Sequence, residues 1–361
     1  MNNSADIDNS TSWTTTDPTD DGMATAEMMN YVTSVYVGII FVIFGVVGNV
    51  LSIIVWRRPR MRSSTGTYLT GQAVADLCLL IFFFLLNSLQ KIAPSVMASS
   101  AYGEFFAYIG YPFFFLFVVC SIWFTVGVTV DRYIQVCWIT RAKDMCNERR
   151  ARMGLGVITL LCFIINAPHF ATYEHVTGAN PSFRATEYGS GKGSQNYEFW
   201  IHCMILVLVP WATIFTLNML IIHRVTSMNR QMDSKRGSSG KDKTRKSEAQ
   251  LTRLLLTITF TFLVLIAFQC ITQCFFMLKA GNHRIVAEAF SIAQLGIVIN
   301  SSINFFLYCL SGKRFRKELR IVVCSRFHGD YKSSSSLSMS HSTGSSAISR
   351  KTAVTEMPSK V

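Results

Sequence analysis

Between Tyr31 and Leu310 the chain carries seven stretches of about twenty or more mostly apolar residues, and no other feature constrains its fold as strongly. They run from Tyr31 to Trp56, Thr67 to Gln90, Phe105 to Val136, Met153 to Tyr173, Phe199 to Ile222, Leu254 to Leu278 and Ala287 to Leu310. A bilayer core offers no hydrogen-bond partner to a bare backbone, so each stretch must close its own bonds as a helix. The composition agrees: half of the residues are apolar and only 15% are charged, well under the usual quarter for soluble domains. The sequence predicts an all-α membrane protein, a seven-transmembrane helix bundle. About thirty polar residues precede the first span, which is therefore read as retained rather than as a secretory signal.

Basic residues orient the bundle. Arg57, Arg58, Arg60 and Arg62 follow the first span, Arg141, Lys143, Arg149, Arg150 and Arg152 the third, and a block from Arg224 to Arg253 the fifth. Lys313, Arg314, Arg316, Lys317 and Arg320 follow the seventh, whereas the segment before the first span has no Lys or Arg. The positive-inside rule then places the N-terminus outside and the C-terminus in the cytoplasm. The net charge of +13 is mostly cytoplasmic on this reading and calls for no nucleic-acid partner. Two sequons in the external tail make Asn2 and Asn9 candidate glycosylation sites.

The remaining segments are polar. Residues 1–30 are expected to be a disordered extracellular tail, 31–310 the bundle, 311–325 an amphipathic helix on the inner leaflet and 326–361 a disordered cytoplasmic tail. The stretch from His223 to Ala249 is basic, rich in Ser and Gly, and is expected to be mobile. In the amphipathic segment Leu310, Phe315, Leu319 and Val322 are expected to share a face against membrane lipid, with Cys324 a palmitoylation candidate. The terminal Ser359-Lys360-Val361 has the form captured by PDZ-domain proteins. Most of the ten cysteines fall within spans, where packing is the simplest reading.

Inside the spans, Asp76 is the residue that needs an explanation, because a carboxylate at depth must be protonated, paired or met by a cation. Asn49, Asn300, Ser301, Ser302 and Asn304 are polar as well, and interhelical hydrogen bonding accounts for such groups. At the end of the third span Asp131-Arg132-Tyr133 follows 26 residues free of charge; an arginine there can also snorkel to water. The seven histidines form no metal-type pair, and no phosphate loop or nucleophile elbow is present, so nothing points to an enzyme. No internal repeat of the kind transporters show is visible.

Gly48-Asn49 in span one, Ala73-Val74-Ala75-Asp76 in span two, Asp131-Arg132-Tyr133 closing span three and Asn304-Phe305-Phe306-Leu307-Tyr308 closing span seven together resemble the rhodopsin-like G-protein-coupled receptors, over about residues 32 to 325. The stretches around them look like invertebrate receptors for FMRFamide-type neuropeptides, which share Phe305 where most of the family has proline. The resemblance implies a plasma-membrane receptor for a peptide ligand, acting on heterotrimeric G proteins and then arrestin. It implies a sodium pocket at Asp76, Ser121, Asn300 and Asn304. It also implies a switch of Asp131, Arg132, Tyr133, Glu248, Asn304 and Tyr308, in which Asp131 and Glu248 hold Arg132.

The sequence departs from the family in three places. The disulfide from span three to the second outer loop is missing at both ends, with Ala107 at one position and no cysteine from Glu174 to Glu198, so that loop is expected to be less restrained. Leu265-Ile266-Ala267-Phe268 replaces the proline motif of span six, and Asn218 replaces a tyrosine in span five. Phe114 and Val298 stand where amine receptors and opsins would carry aspartate and lysine. A peptide cavity is expected to be lined by Tyr108, Tyr111, Phe114 and Trp200, with Gln269, Gln273 and Gln294 as hydrogen-bonding groups and Glu104, Glu174 and Glu288 at the rim. A small-molecule chemosensory receptor and a receptor-like protein without G-protein signalling are the alternatives.

Overall fold

A computed structural model describes the backbone of residues 20–233, 242–277 and 283–334. Asn2, Asn9 and Ser359-Lys360-Val361 lie outside the described residues, as does the side chain of Glu248. Among the described residues six helices are long and apolar enough to cross a membrane: α1 (Thr25–Trp56), α2 (Ser64–Ile92), α3 (Ser100–Cys137), α4 (Glu148–Ala171), α5 (Lys192–Ser227) and, following α6 (Asp242–Met277), the apolar part of α7 (His283–Ser311), Ile285–Leu310. The apolar part of α6 among the described residues is Thr259–Phe275. α8 spans Lys313–Ser334. The chain divides into two compact units, residues 1–319 and 320–361, so the part of α8 from Lys313 to Leu319 belongs to the bundle.

Three boundaries have a visible local cause. Ser63 caps α2 by accepting from the Gly66 amide at 3.0 Å, and Asn147 caps α4 by accepting from Arg150 at 2.9 Å. At the other end of the bundle's last span, the Arg316 guanidinium donates to the Cys309 and Leu310 carbonyls of α7, both at 2.7 Å, satisfying groups that a helix end leaves open.

α3 lies at the centre, touching α2, α4 and α5, and α7 closes the ring against α1 and α6. The buried fraction of the most apolar window is 61% in α3 and 17% in α4, which makes α4 the peripheral helix. Leu79, Leu80, Ile122, Ile214, Phe262 and Val298 fill the middle from five helices. Polar groups join the helices where they touch: Asn49 donates to the Ser301 carbonyl at 2.9 Å, Ser302 to the Phe41 carbonyl at 2.8 Å and Gln72 to Thr125 at 3.0 Å. Gly48 lets α1 approach α7, because a Cβ there would stand 2.8 Å from that of Phe305.

Several boundaries differ from the expectations. The outer tail is helical from Asp20, where two acids at the N-terminus suit the helix dipole and Ala, Met and Glu favour helix. Lys91 ties this extension to α2 by donating to the carbonyl and side-chain oxygens of Asn30 and to Ser34. Most of His223–Ala249 is also helical, since α5 reaches Asp233 and α6 begins at Asp242; a helix anchored in a span extends at the cost of one residue per bond. Leu310 does not join the apolar face of α8, because it belongs to α7 and is exposed, whereas Phe315 is fully buried.

The second outer loop is a two-stranded hairpin, β1 (Tyr173–His175) against β2 (Phe183–Ala185). It is restrained without a disulfide, contrary to expectation. Beside the buried Ala107, the Phe106 ring stacks on Phe183 with centroids 3.8 Å apart, and Tyr102 and Tyr173 close around the pair. Ser182 donates from its amide to the Met97 carbonyl and from its hydroxyl to those of Met97 and Ser99, at 2.7 to 2.8 Å. Gly103 permits the approach, because a Cβ there would meet Ser182 and the His175 ring.

Candidate functional site

Three polar clusters run along the bundle. At the end expected to face the cytoplasm, Asp131 and Arg132 are buried, and Tyr133 is partly buried with its ring 6.2 Å from Trp138. The Asp131 carboxylate accepts from Thr65 at 2.6 Å and from Gln135 Nε2 at 2.7 Å, while Gln135 Oε1 accepts from Arg132 at 3.0 Å, so Gln135 bridges the acid and the arginine. One helical turn separates Gln135 from the acid, so the amide reaches both neighbours. Sequence reading passed over Gln135 and Thr65, although their polarity next to an apolar span was the available signal.

Above Arg132 lies a small void lined by Val128, Thr129, Asn218, Ile221, Leu256 and Thr259. Asn218, the departure in span five, donates to Thr259 of α6 at 2.7 Å. Nearby, the Cys146 thiol donates to the Asp131 carbonyl at 3.6 Å; burial first, and then the Asp131 carboxylate, push its pKa up to about 11.

At mid-depth Asp76 is fully buried, accepting from Ser121 at 2.6 Å and from Asn304 at 2.9 Å. Asn300 lies one turn away on α7 and is buried too. The site thus joins α2, α3 and α7 around one carboxylate whose described hydrogen-bond donors are neutral. Carboxylate, hydroxyl and amide oxygens are the ligand types a hard alkali cation takes, so the residues present fit a sodium ion. Tyr308, also fully buried, packs edge-on to Trp56 at 5.4 Å and against Phe315 of α8 at 5.3 Å. Glu318, one turn further along α8, is buried and pairs with Arg58 at 2.8 Å and Arg60 at 3.6 Å. That clamp on the α1–α2 connection was not foreseen, since nothing local marks one acid among five basic residues as buried.

At the outer end the structure sorts the expected ligand residues. Tyr111 lies inside, packed against Tyr173 at 4.7 Å and His169 at 5.5 Å, and Phe114 joins the core beside Phe115. Gln269, Gln273 and Gln294 are partly buried, and Gln269 Oε1 is a buried acceptor without a partner among the described residues. Tyr108 and Trp200 are 51% and 61% exposed. Glu104 is exposed, Glu288 is partly buried, and Glu174 is already paired with Arg184 at 2.7 Å. Cys324 of α8 is exposed.

The acid that does face inward was missed. Glu198 at the start of α5 stands 3.3 Å from His169 and 3.8 Å from His202, within an aromatic enclosure that includes Tyr111, Phe115 and Tyr197. Its carboxylate and burial both raise the pKa of the adjoining Tyr173 on the hairpin, burial being the larger cause.

Residues 48–308 match the family model described as "7 transmembrane receptor (rhodopsin family)". Among curated proteins, the chain is 28% identical over 317 residues to an FMRFamide receptor of Drosophila melanogaster, covering 82% of this chain and 54% of that receptor. It is 24% identical over 315 residues to the FMRFamide peptide receptor frpr-18 of Caenorhabditis elegans, covering 83% and 72%. It is 27% identical over 206 residues to the probable G-protein coupled receptor 142 of Mus musculus, covering 56% and 51%. The chain thus spans about half the length of the fly and mouse relatives. With a family match over most of its length and helices apolar enough to cross a bilayer repeatedly, this chain belongs to the rhodopsin family of seven-transmembrane receptors.

Proposed function

We propose that this chain is a plasma-membrane receptor for an FMRFamide-like amidated neuropeptide, N-terminus outside, that passes agonist binding to heterotrimeric G proteins. The observation that carries the reading is the likeness over 317 residues to a receptor whose name specifies FMRFamide. The asymmetry of basic residues supports the orientation. The Gln135-centred network, the Asp76 site and the buried Tyr308 are read as the resting arrangement, with sodium at Asp76 favouring it. Agonist acts by binding the other arrangement better, and its differential contacts set the size of the shift. Arginine in such a peptide would meet the rim acids Glu104 and Glu288, while Glu174 must first leave Arg184. Arrestin, a PDZ protein at Ser359-Lys360-Val361 and lipid at Cys324 complete the proposed partners.

The test is a panel of amidated neuropeptides applied to cells expressing the chain, with calcium and cyclic AMP as readouts. A response to peptides ending in Arg-Phe-amide is expected, reduced when Glu104, Glu174 and Glu288 are neutralised together. Silence across the panel at confirmed surface expression would overturn the peptide assignment.

A further inference from the structure

The contacts between α5 and α6 form a ladder. At the outer end the Cys203 and Cys274 sulfurs are 3.7 Å apart; in the middle Trp211 Nε1 donates to the Leu263 carbonyl at 2.8 Å; further in, Asn218 donates to Thr259 at 2.7 Å. Cys203 and Asn218 are fifteen positions apart, and so are Cys274 and Thr259, as two antiparallel helices in fixed register require. The sulfur contact is therefore held by two polar contacts below it. Cys203 is buried, Cys274 is partly exposed, and Cys270 lies buried one turn from Cys274.

We propose that Cys203 and Cys274 are an oxidation site: hydrogen peroxide converts them to a disulfide that staples α5 to α6 at the outer end of the bundle. The sulfurs stand about 1.7 Å beyond bonding distance. Cys274, the more accessible thiol, gives up its proton and attacks one peroxide oxygen, forming a sulfenic acid and releasing one water once the departing hydroxide takes up that proton. The Cys203 sulfur then attacks the sulfenic sulfur, and the departing hydroxide leaves with the Cys203 proton as a second water. The two thiols lose two electrons in all, and one peroxide is reduced to two waters. The staple would lie at the opposite end of the α5–α6 seam from Asn218, holding the outer halves while leaving the inner contact free to break.

The experiment uses the full-length wild-type chain in lipid nanodiscs, treated with hydrogen peroxide, alkylated, digested and read by mass spectrometry. The expected result is a cross-linked peptide pair containing Cys203 and Cys274, and both thiols passing from alkylated to protected. Both should return on reduction, and the oxidised form should have the higher Tm. Cys270→Ser should behave as wild type, whereas Cys203→Ser and Cys274→Ser should lose both the link and the reversible Tm change. The proposal is overturned if both thiols stay alkylatable, if Cys203 joins Cys270 instead, or if oxidation stops at sulfenic acid.

Discussion

Replacing Gln135 with leucine isolates the network around Arg132. Leucine keeps similar bulk on α3 but removes the donor to Asp131 at 2.7 Å and the acceptor from Arg132 at 3.0 Å. Hydrogen bonds to charged groups are worth about 1.5 to 3 kcal/mol each, and Gln135 is only partly buried, so water recovers part of the loss. At the lower figure, and with water recovering up to half of the two bonds, the resting arrangement loses about 1.5 to 3 kcal/mol. If those bonds belong to that arrangement alone, the resting-to-active ratio falls by roughly 10- to 150-fold, at one decade per 1.4 kcal/mol. The readout is agonist-independent GTPγS binding in membranes, normalised to surface receptor. Basal exchange should rise well above wild type. Wild-type basal exchange at normal surface level and normal Tm would show that Gln135 merely fills space, and the reasoning would fail.

Sodium chloride should raise the Tm of the wild-type receptor relative to choline chloride, and Asp76→Asn should abolish the difference; an equal sodium effect in both would remove Asp76 from the cation site. Phe183→Ala removes the ring stacked on Phe106, and a half-buried phenylalanine of this kind is worth about 2 to 3 kcal/mol. Amide exchange at Val176 and Ser182 should accelerate by roughly 30- to 150-fold, and unchanged protection would mean that the hydrogen bonds to Met97 and Ser99 suffice. Because the Cys146 pKa is raised, its thiol is neutral at physiological pH and ionises only as pH approaches 11. Its alkylation at pH 7.4 should be about 300-fold slower than that of a free thiol of pKa about 8.5, and should keep rising beyond pH 9. A plateau near pH 8.5 would contradict the described surroundings.

The seven spans were legible because bilayer thickness imposes a length and a composition that survive in any one sequence. Asp76 was legible for a related reason, since a buried acid stands out against apolar neighbours. Gln135 was not, because an amide at a helix end reads as solvated until the register shows that it faces both Asp131 and Arg132. Tyr108 and Trp200 each lie in a wide-turn π segment, Phe106–Gly110 and Tyr197–Leu208, where bonding from i to i+5 shifts side chains off the 3.6-residue period that a sequence reading assumes. The outer hairpin was hidden because its fastening is aromatic: Phe106 and Phe183 are 77 positions apart, and nothing local in either announces the other.

The most direct trial of the receptor assignment is peptide-dependent nucleotide exchange by a purified G protein with the wild-type chain in nanodiscs. An amidated Arg-Phe peptide should accelerate GDP release, and Arg132→Ala should abolish the acceleration while still binding the peptide. Peptide binding without any exchange, or full exchange by Arg132→Ala, would contradict the account of how this bundle carries a signal.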